Sequence, residues 1–180
     1  MGFFNYDAAI RKFRENETML ETIQRIGMFD EFHCLRDSSL LTARKAAEWM
    51  PRANAGYLSW LSVCNGGLLF DTTLLSVFGM DNSLEVEFST LEEYNNRESY
   101  QEFGLPEGYY VIALRSYGDP ICLSAEDDRV YLWDCEEGDF TTIWNSFCDF
   151  LTDEVDTAIE LIADDSLEPI PLKMIGGDDE

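Results

Sequence analysis

The sequence of 180 residues has one histidine, and beyond residue 60 it has very little positive charge. Each scarcity excludes something. A Ser-His-Asp or Cys-His site would have to use His33, and Cys34 is too near along the chain to pair with it, with no nucleophile elbow nearby. His33 therefore reads as a loop or half-buried residue. One histidine and five unclustered cysteines (Cys34, Cys64, Cys122, Cys135, Cys148) do not make a tetrahedral zinc site. The odd cysteine count, the lack of CxxC spacing and the lack of an export signal point to free thiols in a reducing cytoplasm. There is no GxxxxGK or GxGxxG loop to cradle a phosphate. No apolar run approaches the ~18 residues a membrane helix needs. The first residues have no basic stretch followed by an apolar one, and Tyr6 stands where a myristoylation motif needs Ser or Thr. The expectation is a cytoplasmic protein without membrane segment, metal, cofactor or enzymatic activity.

What the chain has in excess is acid. Twelve Lys+Arg face 36 Asp+Glu, a formal charge of −24. Residues 1–60 are balanced, with eight bases against eight acids, so residues 61–180 hold Arg97, Arg115, Arg129 and Lys173 against 36 − 8 = 28 acids. Such a field repels nucleic acid and anionic membranes and speeds encounter with basic surfaces. Acidity alone also serves solubility or a salt-adapted host. Disorder is excluded, because 46% hydrophobic and 13% aromatic residues suffice for a core. A chain of this length buries roughly 70% of its unfolded surface as one domain.

Periodicity predicts an amphipathic helix over 7–26, a second over 40–49, and a third opened by Pro51 with Tyr57, Trp60, Leu61 and Cys64 as its buried stripe. Asn65-Gly66-Gly67 reads as its stop. Strands are expected at 68–70, 74–78 and, more weakly, 85–88. A capping box at Ser89-Thr90-Leu91-Glu92 opens a short helix that Gly104-Leu105-Pro106 ends. Tyr109–Leu114 is the strongest strand, 120–124 and 129–133 form a hairpin, and a last helix over 141–151 carries Ile143, Trp144, Phe147 and Leu151 on one face. Helices, then short strands, then a helix argue for an α+β fold with a largely antiparallel sheet. The expected organisation is a single domain over 1–163, with N-terminal helices in 7–49 and a core about 50–155, followed by an acidic extension over 164–180 with a disordered tip.

The acidic run Asp134-Cys135-Glu136-Glu137-Gly138-Asp139 suggests a calcium loop but lacks the alternating ligands, and Asn145 occupies the closing Glu position. Carboxylate pairs for glycoside hydrolysis are available among so many acids, yet nothing selects one pair. Trp60 and Trp144 read as core. Trp133, at a strand end beside Asp134, reads as core or as part of a partner surface.

Three segments carry a resemblance. They are Tyr57 to Gly67, running into Asn65-Gly66-Gly67; Val111 to Asp134, with Gly118-Asp119 between strands and Trp133-Asp134 at a strand end; and Ser146-Phe147-Cys148-Asp149-Phe150-Leu151. In this order, over about residues 50–155, they resemble the SUKH superfamily. Cys135 stands where the family often has His, and Met50-Pro51 where it often has Leu-Pro. The resemblance implies a twisted sheet backed by helices and no catalytic residues. For bacterial members it implies neutralisation of a co-encoded toxin, often a nuclease; for yeast members, regulation of cell-wall synthesis. Trp60, Asn65, Gly66, Gly67, Gly118, Asp119, Trp133 and Phe147 would be structural. The expected partner is a protein, a cognate basic toxin domain, met through exposed acids near strand ends (Asp119, Glu126, Asp127, Asp128, Asp134, Glu136, Glu137) with Trp133 beside them. The alternative is a non-catalytic scaffold module. The oligomeric state is left open.

Overall fold

A computed structural model describes residues 18, 19, 21, 23, 39–69, 71–77 and 89–163. Most of the helix expected over 7–26, the loop with His33, the strand expected over 85–88 and the extension 164–180 lie outside the described residues. Residues 18, 19, 21 and 23 are helical, and Ile23 is fully buried.

The elements in chain order are α1 (Ser39–Trp49), α2 (Ala55–Leu61), β1 (Gly67–Leu69), β2 (Thr72–Leu74), α3 (Leu91–Tyr94), α4 (Arg97–Phe103), β3 (Tyr109–Arg115), β4 (Pro120–Ser124), β5 (Val130–Asp134), β6 (Asp139–Trp144) and α5 (Phe147–Ala163). The strands form one sheet in the order β1-β2-β3-β4-β5-β6, every neighbour antiparallel. This is an α+β fold. Because the strands follow one another, no connection crosses over the sheet; all are short reversals except β2–β3, which carries α3 and α4.

Several local expectations shift. Pro51 does not open α2; it lies in a turn, and Asn54 caps the helix by accepting from the Tyr57 N–H at 2.8 Å. An Asn side chain supplies the acceptor that the first free N–H groups need, which a proline does not. The capping box falls one residue later, with Thr90 and Glu93 rather than Ser89 and Glu92. The largest correction is at 141–144, expected as the start of the last helix and found in β6 (Asp139–Trp144). Asp134 accepts from the N–H groups of Glu136 and Glu137, both at 2.9 Å, and the Gly138 N–H donates to the Asp134 carbonyl at 2.9 Å. That turn returns the chain along β5, where the β-branched run Thr141-Thr142-Ile143 is at home. The helix starts only after Ser146, whose hydroxyl accepts from the Asp149 N–H at 3.1 Å.

The core sits between the sheet and helices α2 and α5. Tyr57, Leu58, Trp60 and Leu61 of α2 are buried, as are Phe147, Phe150, Leu151 and Val155 of α5. The Phe147 ring lies 5.0 Å from Tyr57 and 6.0 Å from Trp60, and Phe150 meets Trp144 edge-on at 5.2 Å. Rings this fully covered typically cost ~3–5 kcal/mol each when cut to Ala.

Two asparagines hold the periphery. Asn65 is not a helix stop, since α2 ends at Leu61. Its side-chain oxygen accepts from the Val77 N–H at 2.6 Å, tying the chain after α2 to the chain after β2. Gly66 follows with φ 84°, and a Cβ there would come within 2.9 Å of the Ser76 backbone. Only glycine allows that approach. Asn95 donates to the Val111 carbonyl at 2.7 Å and accepts from its N–H at 2.8 Å. Its amide thus replaces a strand peptide where β2, paired only to 113–115, no longer reaches β3.

Candidate interaction surface

The hairpin connections decide where the expected contact residues lie. In an up-and-down sheet, successive turns fall at opposite ends. Asp119 (β3–β4 turn), Asp134, Glu136 and Glu137 (β5–β6 turn) come together at one end, where the Cys135 N–H donates to Asp119 at 3.2 Å. Glu126, Asp127 and Asp128 lie at the other end, in the β4–β5 turn. A five-residue strand separates the groups by ~17 Å.

Within each group the acids divide by role. Asp119 and Asp134 are half-buried and both accept from backbone N–H groups of the β5–β6 turn, Asp119 from Cys135 and Asp134 from Glu136 and Glu137. Asp127 accepts from the Arg129 N–H at 2.9 Å, with the Arg129 guanidinium 3.7 Å away. The β3–β4 turn, at the opposite end, holds Gly118 at φ 102°. Among the described residues no hydrogen bond or ion pair engages the carboxylates of Glu126, Asp128, Glu136 and Glu137, all exposed. Trp133 is buried at 6% exposure, and its indole N–H donates to the Phe103 carbonyl at 2.8 Å. It joins the sheet to α4 and is a packing residue.

Between the two acidic turns runs an aromatic strip. Tyr131 pairs with Ile143 and Trp133 with Phe140, so one extra residue, Thr141, bulges out of β6. The bulge brings Phe140 and Ile143 to the same face although they are three apart. Phe140 packs 4.6 Å from Tyr109, 5.0 Å from Tyr131 and 4.9 Å from Trp133. Ile143 remains 56% exposed. The Tyr109 phenol is held above its usual range by partial burial, then by Tyr131 and by Asp127 and Glu126, so the negative turn reaches this strip. The sequence reading assigned Ile143 to a buried helix face and missed Tyr109 and Phe140. The available signal was a Gly-containing turn followed by the aromatic and β-branched run Phe140-Thr141-Thr142-Ile143.

A third feature was not anticipated. The Arg115 guanidinium contacts Glu154 at 2.7 and 2.8 Å, Asp71 at 2.7 Å and the Thr72 hydroxyl at 2.7 Å, and that hydroxyl donates to Glu154 at 2.9 Å. The Arg115 and Glu154 side chains are 13% and 5% exposed. Burial pushes the Glu154 carboxyl above its ordinary range against the pull of Arg115 and Thr72, while the two carboxylates raise Arg115 despite its own burial. With its guanidinium paired to both carboxylates, this cluster is a clamp joining the β1–β2 turn, β2, β3 and α5. Among the described residues no group of three or more His, Cys, Asp or Glu is arranged to hold a metal ion, and no helix is long and apolar enough to cross a membrane.

No curated protein matches the chain. The span from the turn after α1 through all six strands into α5 is the one a family model recognises. The model of the SMI1 / KNR4 family (SUKH-1) matches residues 52–153, more than half of the sequence, and the chain therefore belongs to that family.

Proposed function

We propose that this protein is an immunity-type inhibitor that binds a co-encoded basic toxin, a nuclease, and blocks it without catalysis of its own. One observation carries the reading: the whole −24 charge resides in residues 61–180, the part that contains the sheet and most of the matched region. Nuclease surfaces hold phosphates with Lys and Arg. Exposed carboxylates such as those of Glu126, Asp128, Glu136 and Glu137 present the same charge to those side chains without a cleavable bond. Occupation of the phosphate track then suffices for inhibition. The encounter is steered by charge and is fast at low salt. In this reading the protein acts in the cytoplasm, needs no metal or cofactor and does not bind nucleic acid.

The test is co-expression with the toxin domain encoded beside the gene. Growth rescue, a stoichiometric complex and affinity that falls steeply with ionic strength are expected. Recovery of cell-regulatory proteins from the native host, with no toxin neutralised, would replace this reading by that of a scaffold module.

A further inference from the structure

We infer that the outer face of the β5–β6 hairpin is where the partner docks, and that its occupant is a basic protein segment with an apolar centre; this rests on the proposed function for the identity of the partner. Of the large hydrophobic side chains described, only Tyr117 and Ile143 are exposed, at 65% and 56%. Tyr117 stands alone on the β3–β4 turn. Ile143 lies on a strip with Phe140 and Tyr109, both half-buried, over Tyr131. The opposite face of the sheet is already covered, with Trp144 packed on Phe150 of α5 and its indole N–H donating to Asp153 at 2.9 Å.

The acids that looked divided between two ends bracket this strip. Glu126 and Asp128 lie beyond the Val130–Trp144 end of the hairpin, and Glu136 and Glu137 beyond its Asp134–Asp139 end. An apolar centre with a charged, solvated rim is the anatomy of an interface. The spacing sets the complement: an apolar side chain for Ile143 and Phe140, with basic residues on both sides ~17 Å apart. Charge chooses the occupant. A second copy of this chain would bring four unpaired carboxylates against four more, and like-charge repulsion opposes that contact. The bulge at Thr141 breaks the regular edge of β6, which disfavours simple strand addition and leaves side-chain docking on the face.

Two synthetic peptides test this against the full chain labelled with 15N. Both carry arginine pairs at each end; one has an alternating valine-threonine centre and the other a glycine-serine centre. The apolar-centred peptide is expected to bind about tenfold more tightly. It should shift amides of 126–131 and 136–144, and Ile143→Arg should abolish the preference. Because Ile143 is exposed, the variant should keep the wild-type melting temperature; Ile143→Ser serves as a milder second variant. Glu98→Lys with Glu102→Lys on α4 is the matched control and should leave the preference unchanged. Equal binding of the two peptides, or shifts centred on α4, overturns the inference. If the chain neutralises its toxin and Ile143→Arg neutralises it equally well, the docking face is wrong and the function stands. If the peptides map to this face but no toxin is neutralised, the face stands and the function is wrong.

Discussion

Glu154 and Glu136 present the same carboxylate to opposite circumstances. Glu154 is a buried residue of α5, engaged by Arg115 and Thr72. Glu136 stands in the β5–β6 turn with its backbone N–H bound to Asp134 and its side chain exposed. The first kind of acid holds the molecule together and is unavailable to a partner. The second adds little to stability and leaves its charge free for recognition. An acidic protein of this kind is two populations of carboxylates, and total charge does not say how they divide.

The strongest way to break the comparison is at the clamp. Glu154→Ala leaves Arg115 largely buried with only Asp71 and Thr72, and a loss of ~3–5 kcal/mol in urea unfolding is expected. Replacing the pair together, Arg115→Met with Glu154→Leu, should restore much of that stability, because no charge is then left buried without its partner. A double variant as unstable as the single one would show that the pair contributes more than relief of its own desolvation.

The asparagine clasps come next. Asn65→Ala leaves the Val77 N–H without its acceptor and should cost ~1–3 kcal/mol by the same measurement, as should Asn95→Ala at Val111. Exposed acids should behave oppositely. Glu136→Lys with Glu137→Lys should move stability by no more than ~0.5 kcal/mol. The same pair should weaken toxin binding and flatten its salt dependence, read by titration at several ionic strengths. A stability loss as large as that of Asn65→Ala would erase the distinction between the two populations.

The subtlest effect is chemical. Cys135 is exposed, yet its thiol is pushed up to about 11 by partial burial, then by Asp119 and Asp134. At pH 8 its alkylation by iodoacetamide should be slower than that of an ordinary exposed thiol by about two orders of magnitude, and the rate should keep climbing as pH rises toward that value. Asp119→Asn should bring the reactive range down.

Much of the fold was legible. Tyr109–Arg115 is rich in aromatic and β-branched residues, and β4 and β5 flank a polar turn, so both were assigned close to their observed limits. β6 was not, because Ile143, Trp144, Phe147 and Leu151 fit a helical face as well as they fit a strand followed by a helix. Periodicity over so short an apolar run does not separate the two; hydrogen bonds from Asp134 to its own turn do. Asn65-Gly66 was assigned to the nearest structure in the sequence, a helix end, whereas its partner is Val77, twelve residues away.

The amino-acid sequence by itself determined the α+β class, the ordered pattern that places the chain in its family, and the confinement of negative charge to residues 61–180. These follow from composition and local periodicity. Only the tertiary structure decided that Asp119, Asp134 and Glu154 are engaged while Glu126, Asp128, Glu136 and Glu137 are not, that Trp133 is covered and that Ile143 is bare. Each of those depends on which group from a distant segment arrives within about 3 Å, and hydrogen bonding and burial at that range are set by how the strands register rather than by the residue itself.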